Sequence, residues 1–367
     1  MTKENSNKKT EPGIFNTLRH DVQSGGHFDN IRREYRELRD FYIDTEKKSR
    51  LEEMNVLKRW IFFVWWLLKS MFFKLTPTRR LLLLLGIFFT NAGFSIQLGT
   101  AKINDNSFLG GILILFVLLL ELKDKLLAHS ELESGRKIQQ ALAPERSPQV
   151  SGWSLWLYTR PANEVGGDLV DFIKINDERA GLVMADVAGK GLRAALLTAK
   201  LQATVRAIAS DHDSLSEFCS KVNSIFHRDS LPSIFASLLY VEIRPNDGHV
   251  RFVNAGHMPP LLLAGQEIRE LPRGALALGL SATSNFTEQN IDLEPGQVLF
   301  AYSDGLTEAS NEAGEFYGTE RLNKLLSQIS HFDAQRIGET VTNQLDRFVG
   351  EARANDDLSL LVIKCSQ

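Results

Sequence analysis

The chain has 367 residues, 43% hydrophobic and 24% charged, with a formal net charge of −3. That length accommodates one full globular domain plus substantial further segments, and the excess of Asp and Glu over Lys and Arg gives no sign of a nucleic-acid surface. The two cysteines, Cys219 and Cys365, are too few for a disulfide framework and suit a reducing compartment. Neither opens a phosphate-cradling loop closed by Arg, which argues against a cysteine-nucleophile phosphatase.

Residues 1–27 are polar and read as a tail without the apolar core of a signal peptide. Phe28, Ile31, Tyr35, Leu38 and Tyr42 recur three and four apart, one face of an amphipathic helix or a short coiled coil, so 1–56 is expected as a cytosolic tail and helix. Within 57–76, Trp60 to Phe73 is an apolar run of 14 residues with Lys69 inside it. This is short of the roughly 20 needed to span a bilayer, and Trp with Lys favours a helix in the headgroup region. Leu81 to Gly99 carries no charge over 19 residues, and Ser107 to Leu120 none over 14. They are read as a transmembrane helical hairpin, 81–101 and 107–122, around a polar turn at 102–106. Arg79 and Arg80 before it and Lys123 and Lys125 after it place both flanks in the cytoplasm, so the expected location is the inner (cytoplasmic) membrane, multi-pass. Residues 123–144 form a linker helix ended by Pro144; its apolar positions Leu126, Leu132, Ile138 and Leu142 suit pairing in a homodimer, or a solvated spacer.

From 145 to 367 the pattern changes to short apolar or alternating runs (152–159, 168–175, 180–187, 235–244, 250–254, 298–303, 358–364) with helices at 191–210, 214–229, 319–330 and 333–349. Strands in several runs with helices inserted predict an α+β domain with mostly antiparallel sheets. Four acidic islands stand at its strand ends: Glu164-Val165-Gly166-Gly167-Asp168, Asp186-Val187-Ala188-Gly189-Lys190-Gly191, Tyr302-Ser303-Asp304-Gly305 and Asn355-Asp356-Asp357-Leu358-Ser359. Carboxylates without His or Cys partners suit hard divalent cations. Singly, each island has a plainer reading as a turn, a helix cap or a solvated charge pair. The Asp186–Gly191 segment lacks the P-loop pattern.

In order and spacing, these islands resemble those of the metal-dependent PPM (type 2C) protein serine/threonine phosphatases, in the bacterial SpoIIE-type branch. Ile138-Gln139-Gln140-Ala141-Leu142-Ala143-Pro144 resembles that branch's lead-in, and Asn254-Ala255-Gly256-His257-Met258-Pro259-Pro260 another of its signatures. The resemblance implies a β-sandwich of two mostly antiparallel sheets flanked by helices, with two divalent cations, Mn²⁺ or Mg²⁺, at one end. It carries metal-ligand and catalytic roles onto Asp168, Asp186, Asp304 and Asp356, and a ligating carbonyl onto Val187. It implies hydrolysis of phosphoserine or phosphothreonine, by a metal-activated water, on a phosphorylated regulatory protein of the anti-anti-sigma (STAS) kind. A noncatalytic scaffold and a phosphatase of small phosphate esters are the alternatives. Asp171, on the opposite strand face, is expected to be structural; Glu164, His257 and Arg160 are further candidates. Ala188, Ser303 and Ser359 depart from the residues usual at their positions, and none of these changes removes a ligand.

Overall fold

The computed structural model describes residues 50–51, 54–91, 96–98, 101–103, 107–231 and 233–366. The expected tail 1–27, the amphipathic helix Phe28–Tyr42 and positions 104–106 of the expected turn lie outside the described residues. Contacts divide the chain into two units, 1–125 and 126–367.

In the first unit, α1 (Val56–Lys74) ends where Leu75 turns extended, and Pro77 opens α2 (Pro77–Asn91), a position that suits its fixed φ and missing N–H. Strands β1 (Ile96–Leu98) and β2 (Ala101–Ile103) pair antiparallel, and α3 begins at Ser107, running to Leu142. Arg79 of α2 bridges Glu121 and Asp124 of α3, each at 2.6 Å. A Cβ on Gly86 would stand 2.9 Å from Ile114 Cγ1, so the small residue lets α2 and α3 pack closely. The expected span 81–101 is therefore corrected. Its described helix is Pro77–Asn91, with the Asn91 side chain bonded to the Ile87 carbonyl, and Ile96–Leu98 beyond it is a strand. The uncharged part of α3 runs directly into Glu121, Lys123 and Asp124. Among the described residues, no helix is long and apolar enough to cross a membrane.

In the second unit, two five-stranded antiparallel sheets stack face to face. One has the order β10-β7-β6-β5-β4, built from β4 (Asp168–Lys174), β5 (Ala180–Val187), β6 (Ala236–Arg244), β7 (Asp247–Ala255) and β10 (Glu288–Asp292). The other has the order β3-β12-β11-β8-β9, built from β3 (Trp153–Arg160), β8 (Leu261–Ala264), β9 (Glu267–Glu270), β11 (Val298–Tyr302) and β12 (Leu358–Cys365). Helices α4 (Leu192–Ile208) and α5 (Leu215–Asp229) cover the first sheet, while α7 (Gly318–Ile329) and α8 (Ala334–Val349) cover the second; the one-turn α6 (Asp304–Thr307) follows β11.

The residue pattern accounts for these layers. Along β5, Leu182 and Met184 point between the sheets with Val170, Leu157, Leu299 and Leu361. The alternate residues Val183, Ala185 and Val187 meet Leu201, Val205, Phe218 and Val222 of α4 and α5. A strand buried on both faces reads as a continuous apolar run, as Gly181–Ala185 does. Outside the second sheet, Phe300, Leu360 and Val362 pack on Leu322, Leu326, Ile337 and Val341. Side-chain oxygens cap two helices: Ser214 accepts from the Glu217 N–H and Asp333 from the Arg336 N–H, as N-cap residues do.

Candidate active site

Strand ends bring the islands together. Asp168 opens β4 and Asp186 lies next to the end of β5, and the register pairs them directly. Paired residues share a sheet face, and theirs is the face of Val170 and Met184, which points between the sheets. In the second sheet β11 pairs antiparallel with β12, Tyr302 opposite Leu360. The end of β11 and the start of β12 therefore adjoin, and Asp304 follows one while Asp356 precedes the other.

Asp357 fixes how closely these pieces approach. Its carboxylate accepts the Ala162 N–H at 2.8 Å, the Gly167 N–H at 2.6 Å and the Asp168 N–H at 3.2 Å, tying the loop before β4 to the second sheet. A Cβ on Gly166 would fall 2.5 Å from Asp357 Oδ2, and one on Gly305 would collide with the Asp357 carbonyl oxygen. Both glycines are thus explained by close backbone approach. Ser303 completes the join: its hydroxyl donates to the Asp357 carbonyl at 3.1 Å and accepts the Ser359 N–H at 2.9 Å.

Among the described residues, the assembled carboxylates have little counter-charge. Burial raises Asp168 well above the usual carboxylate range, and the charge of Asp186 adds to it; its Oδ2 is buried without a hydrogen-bond partner. Asp186 is pushed up to about 6 by burial, then by the charges of Asp304, Asp356 and Asp357. Asp304 is raised by burial and by Asp356. One cation answers: Lys190 Nζ lies 3.0 Å from Asp356 Oδ2 and donates to the Asn355 carbonyl at 2.8 Å. Among the described residues, no three His, Cys, Asp or Glu side chains converge tightly enough to enclose a metal ion by themselves. The donor set is nonetheless oxygen-only, and Mg²⁺ is commonly held by one or two carboxylates with waters completing its shell. A buried unpartnered carboxylate oxygen and mutually repelling neighbours fit divalent cations. Val187 belongs to the same corner, its carbonyl oxygen 3.0 Å from where a Cβ on Gly167 would sit.

The other candidates fall elsewhere. Asp171 faces the helices, fully buried, and accepts two hydrogen bonds of 2.7 Å from Arg206. Arg160 is held by both carboxylate oxygens of Asp346 on α8. Glu164 lies 3.5 Å from His129 of α3. His257 is buried behind Asp186: its Nδ1 is 2.8 Å from Ser237 Oγ, which accepts the Asp186 N–H, and burial lowers it to about 4. Sequence reasoning missed the bracing by Asp357, Ser303 and Ser237, and it missed Gln139. The Gln139 amide donates to the Gly166 carbonyl at 3.0 Å and accepts the Gly166 N–H at 3.1 Å. A cavity of about 420 Å³ lies beside these residues, and Asp168 is its one acidic lining residue among those described.

A helix-flanked sandwich of two antiparallel sheets, with carboxylates gathered at one end, is the PPM or PP2C-type phosphatase fold. The SiaA PP2C domain of Pseudomonas aeruginosa shares it, with a TM-score of 0.57 at 20% identity, over 66% of this chain and 98% of that one. Residues 176–366 match the family model of stage II sporulation protein E (SpoIIE), and the chain belongs to that family. Protein IcfG of Synechocystis sp. is 26% identical over 264 residues, which is 64% of this chain and 41% of IcfG. The phosphoserine phosphatase RsbU of Bacillus subtilis is 25% identical over 237 residues, 64% of this chain and 70% of RsbU. The chain thus spans less than half of IcfG and most of RsbU.

Proposed function

We propose that this protein is a metal-dependent phosphoserine/phosphothreonine protein phosphatase, and that Asp168, Asp186, Asp304, Asp356 and the Val187 carbonyl hold two divalent cations, Mn²⁺ or Mg²⁺. The observation that carries this reading is the meeting of four separate acidic islands at one sandwich end, short of counter-charge. When bound, such cations offset the charge of a transferring phosphoryl group and acidify water. The chain's own residues supply placement. Asp357 and Gln139 fix the Gly166–Asp168 backbone, Ser237 fixes the backbone of Asp186, and Lys190 is a cation at the edge of the cluster.

The substrate in this reading is a phosphorylated regulatory protein, of the anti-anti-sigma (STAS) kind implied by the motifs; likeness to the phosphoserine phosphatase RsbU supports phosphoserine as the residue. Attachment to a membrane surface belongs to the same reading. It is supported by large apolar side chains left exposed in the first unit, among them Trp60, Trp65, Phe88 and Leu115, since extensive apolar exposure marks an interaction surface. Pairing of two copies through α3 is supported by the exposure of Leu126, Leu127 and Ile138. The test is release of inorganic phosphate from a phosphoserine peptide by the full chain. Turnover that requires Mn²⁺ or Mg²⁺ supports the proposal, and undiminished turnover in excess chelator refutes it.

A further inference from the structure

Beside the carboxylates, several large apolar side chains stand exposed. Leu192, Leu196, Leu231, Phe235, Leu276 and Leu280 are between 40% and 63% exposed. Backbone pairing sets the position of most of them. The Phe235 carbonyl accepts the Ala188 N–H at 2.9 Å, which puts Phe235 against the segment that follows Asp186. Ala236 pairs with Val187 and exchanges two hydrogen bonds, of 3.0 and 2.8 Å, with Leu278. Leu276 and Leu280 flank that anchor. Leu192 opens α4 directly after Gly191, and Leu196 follows one turn later. The Lys200–Asp229 ion pair of 2.7 Å ties α4 to the end of α5, just before Leu231.

We propose that this rim is the docking surface for the substrate protein, and that it selects a phosphoserine flanked by apolar residues. The inference rests on the phosphatase reading. A phosphoserine side chain is short, so a protein whose phosphate reaches Asp186 must lay its neighbouring residues on whatever surrounds Asp186. Exposed Leu and Phe gain from covering apolar flanking residues, whereas charged flanking residues laid on them would lose water without finding a partner. Several large apolar side chains left exposed beside a polar site mark a place where a partner binds.

The experiment measures kcat/KM of the full chain with Mn²⁺ on three probes: a phosphoserine peptide with leucines on both sides, the same peptide with serines, and p-nitrophenyl phosphate. The wild type should prefer the leucine-flanked peptide by about tenfold or more, the gain from burying one or two such side chains. Phe235→Ser, Leu276→Ser and Leu280→Ser lie on two separate loops. Each should erase most of that preference while p-nitrophenyl phosphate turnover, which reports the fold and the catalytic site, stays within about twofold. Equal turnover of the two peptides by wild type, or preference kept in all three variants, overturns the docking surface and leaves the phosphatase reading intact. Inactivity toward all three probes overturns both. If the variants instead lose vesicle flotation or change sedimentation with preference intact, the rim belongs to a membrane or to a second copy, and the proposal is wrong.

Discussion

Replacing Asp186 with Asn should make the metal-free protein more stable while abolishing its activity. Asp186 ionises in the folded state only near 6, against an ordinary value of 3.8, because it is largely buried among Asp304, Asp356 and Asp357. Ionising it there costs up to about 3 kcal/mol, at 1.36 kcal/mol per pKa unit. Because the folded value is raised, the associated stability is fully present below pH 3.8 and is lost as pH rises through 6. Asparagine keeps the shape and carries no charge. With allowance for residual solvent screening, the variant at pH 7.5 in chelator should gain about 1–2 kcal/mol, or about 3–6 °C in melting temperature for a unit of this size. The measurement is a pair of thermal melts at pH 5 and pH 7.5, with chelator and again with Mn²⁺. In chelator the variant's lead at pH 7.5 should be about twice its lead at pH 5, and Mn²⁺ should raise the wild type far more than the variant. A variant that melts below wild type in chelator at pH 7.5, or that gains as much from Mn²⁺, would refute the electrostatic account of the site.

Five other changes probe the supports. Asp357→Ala strands three backbone N–H donors, so it should cost about 3 kcal/mol or more in urea unfolding; Asp356→Asn should cost less than about 1 kcal/mol, because that carboxylate faces Lys190 at a half-exposed position. Gly305→Ala forces a side chain into the Asp357 backbone and should destabilise by about 1–3 kcal/mol with loss of phosphate release. Arg206→Leu leaves Asp171 buried without its partner and should cost about 2–3 kcal/mol, with Mn²⁺ dependence of activity unchanged. His257 is held neutral down to about pH 4 against an ordinary 6.5. Its contribution is therefore complete above pH 6.5 and lost as pH falls through 4; His257→Gln should flatten acid destabilisation in that window, read by melts from pH 7 to 4.

The sandwich was legible because its central strands are buried on both faces and its helices carry regular apolar stripes. Gly181–Ala185 and Leu360–Ile363 stand out as continuous runs. The short strands Glu267–Glu270 and Glu288–Asp292 were missed, since each offers one apolar residue and pairs on a sheet edge. The acidic islands were visible as motifs, but how they are braced was not. The three hydrogen bonds to Asp357 join residues 189 to 195 positions apart, and no local pattern encodes such pairing. The crowding glycines were the one usable signal. The expected transmembrane hairpin finds no support among the described residues for a different reason: hydropathy registered the uncharged stretch Leu81–Gly99 but not that Ile96–Leu98 within it is a strand.

The most direct test of the central claim is an anomalous-scattering map at the manganese edge, from crystals of the protein grown with Mn²⁺. Two peaks among Asp168, Asp186, Val187, Asp304 and Asp356, both lost in Asp304→Asn crystals or reduced to one, are what this account predicts. A map with no peak at that end of the sandwich, from crystals that bind Mn²⁺ elsewhere, would contradict it.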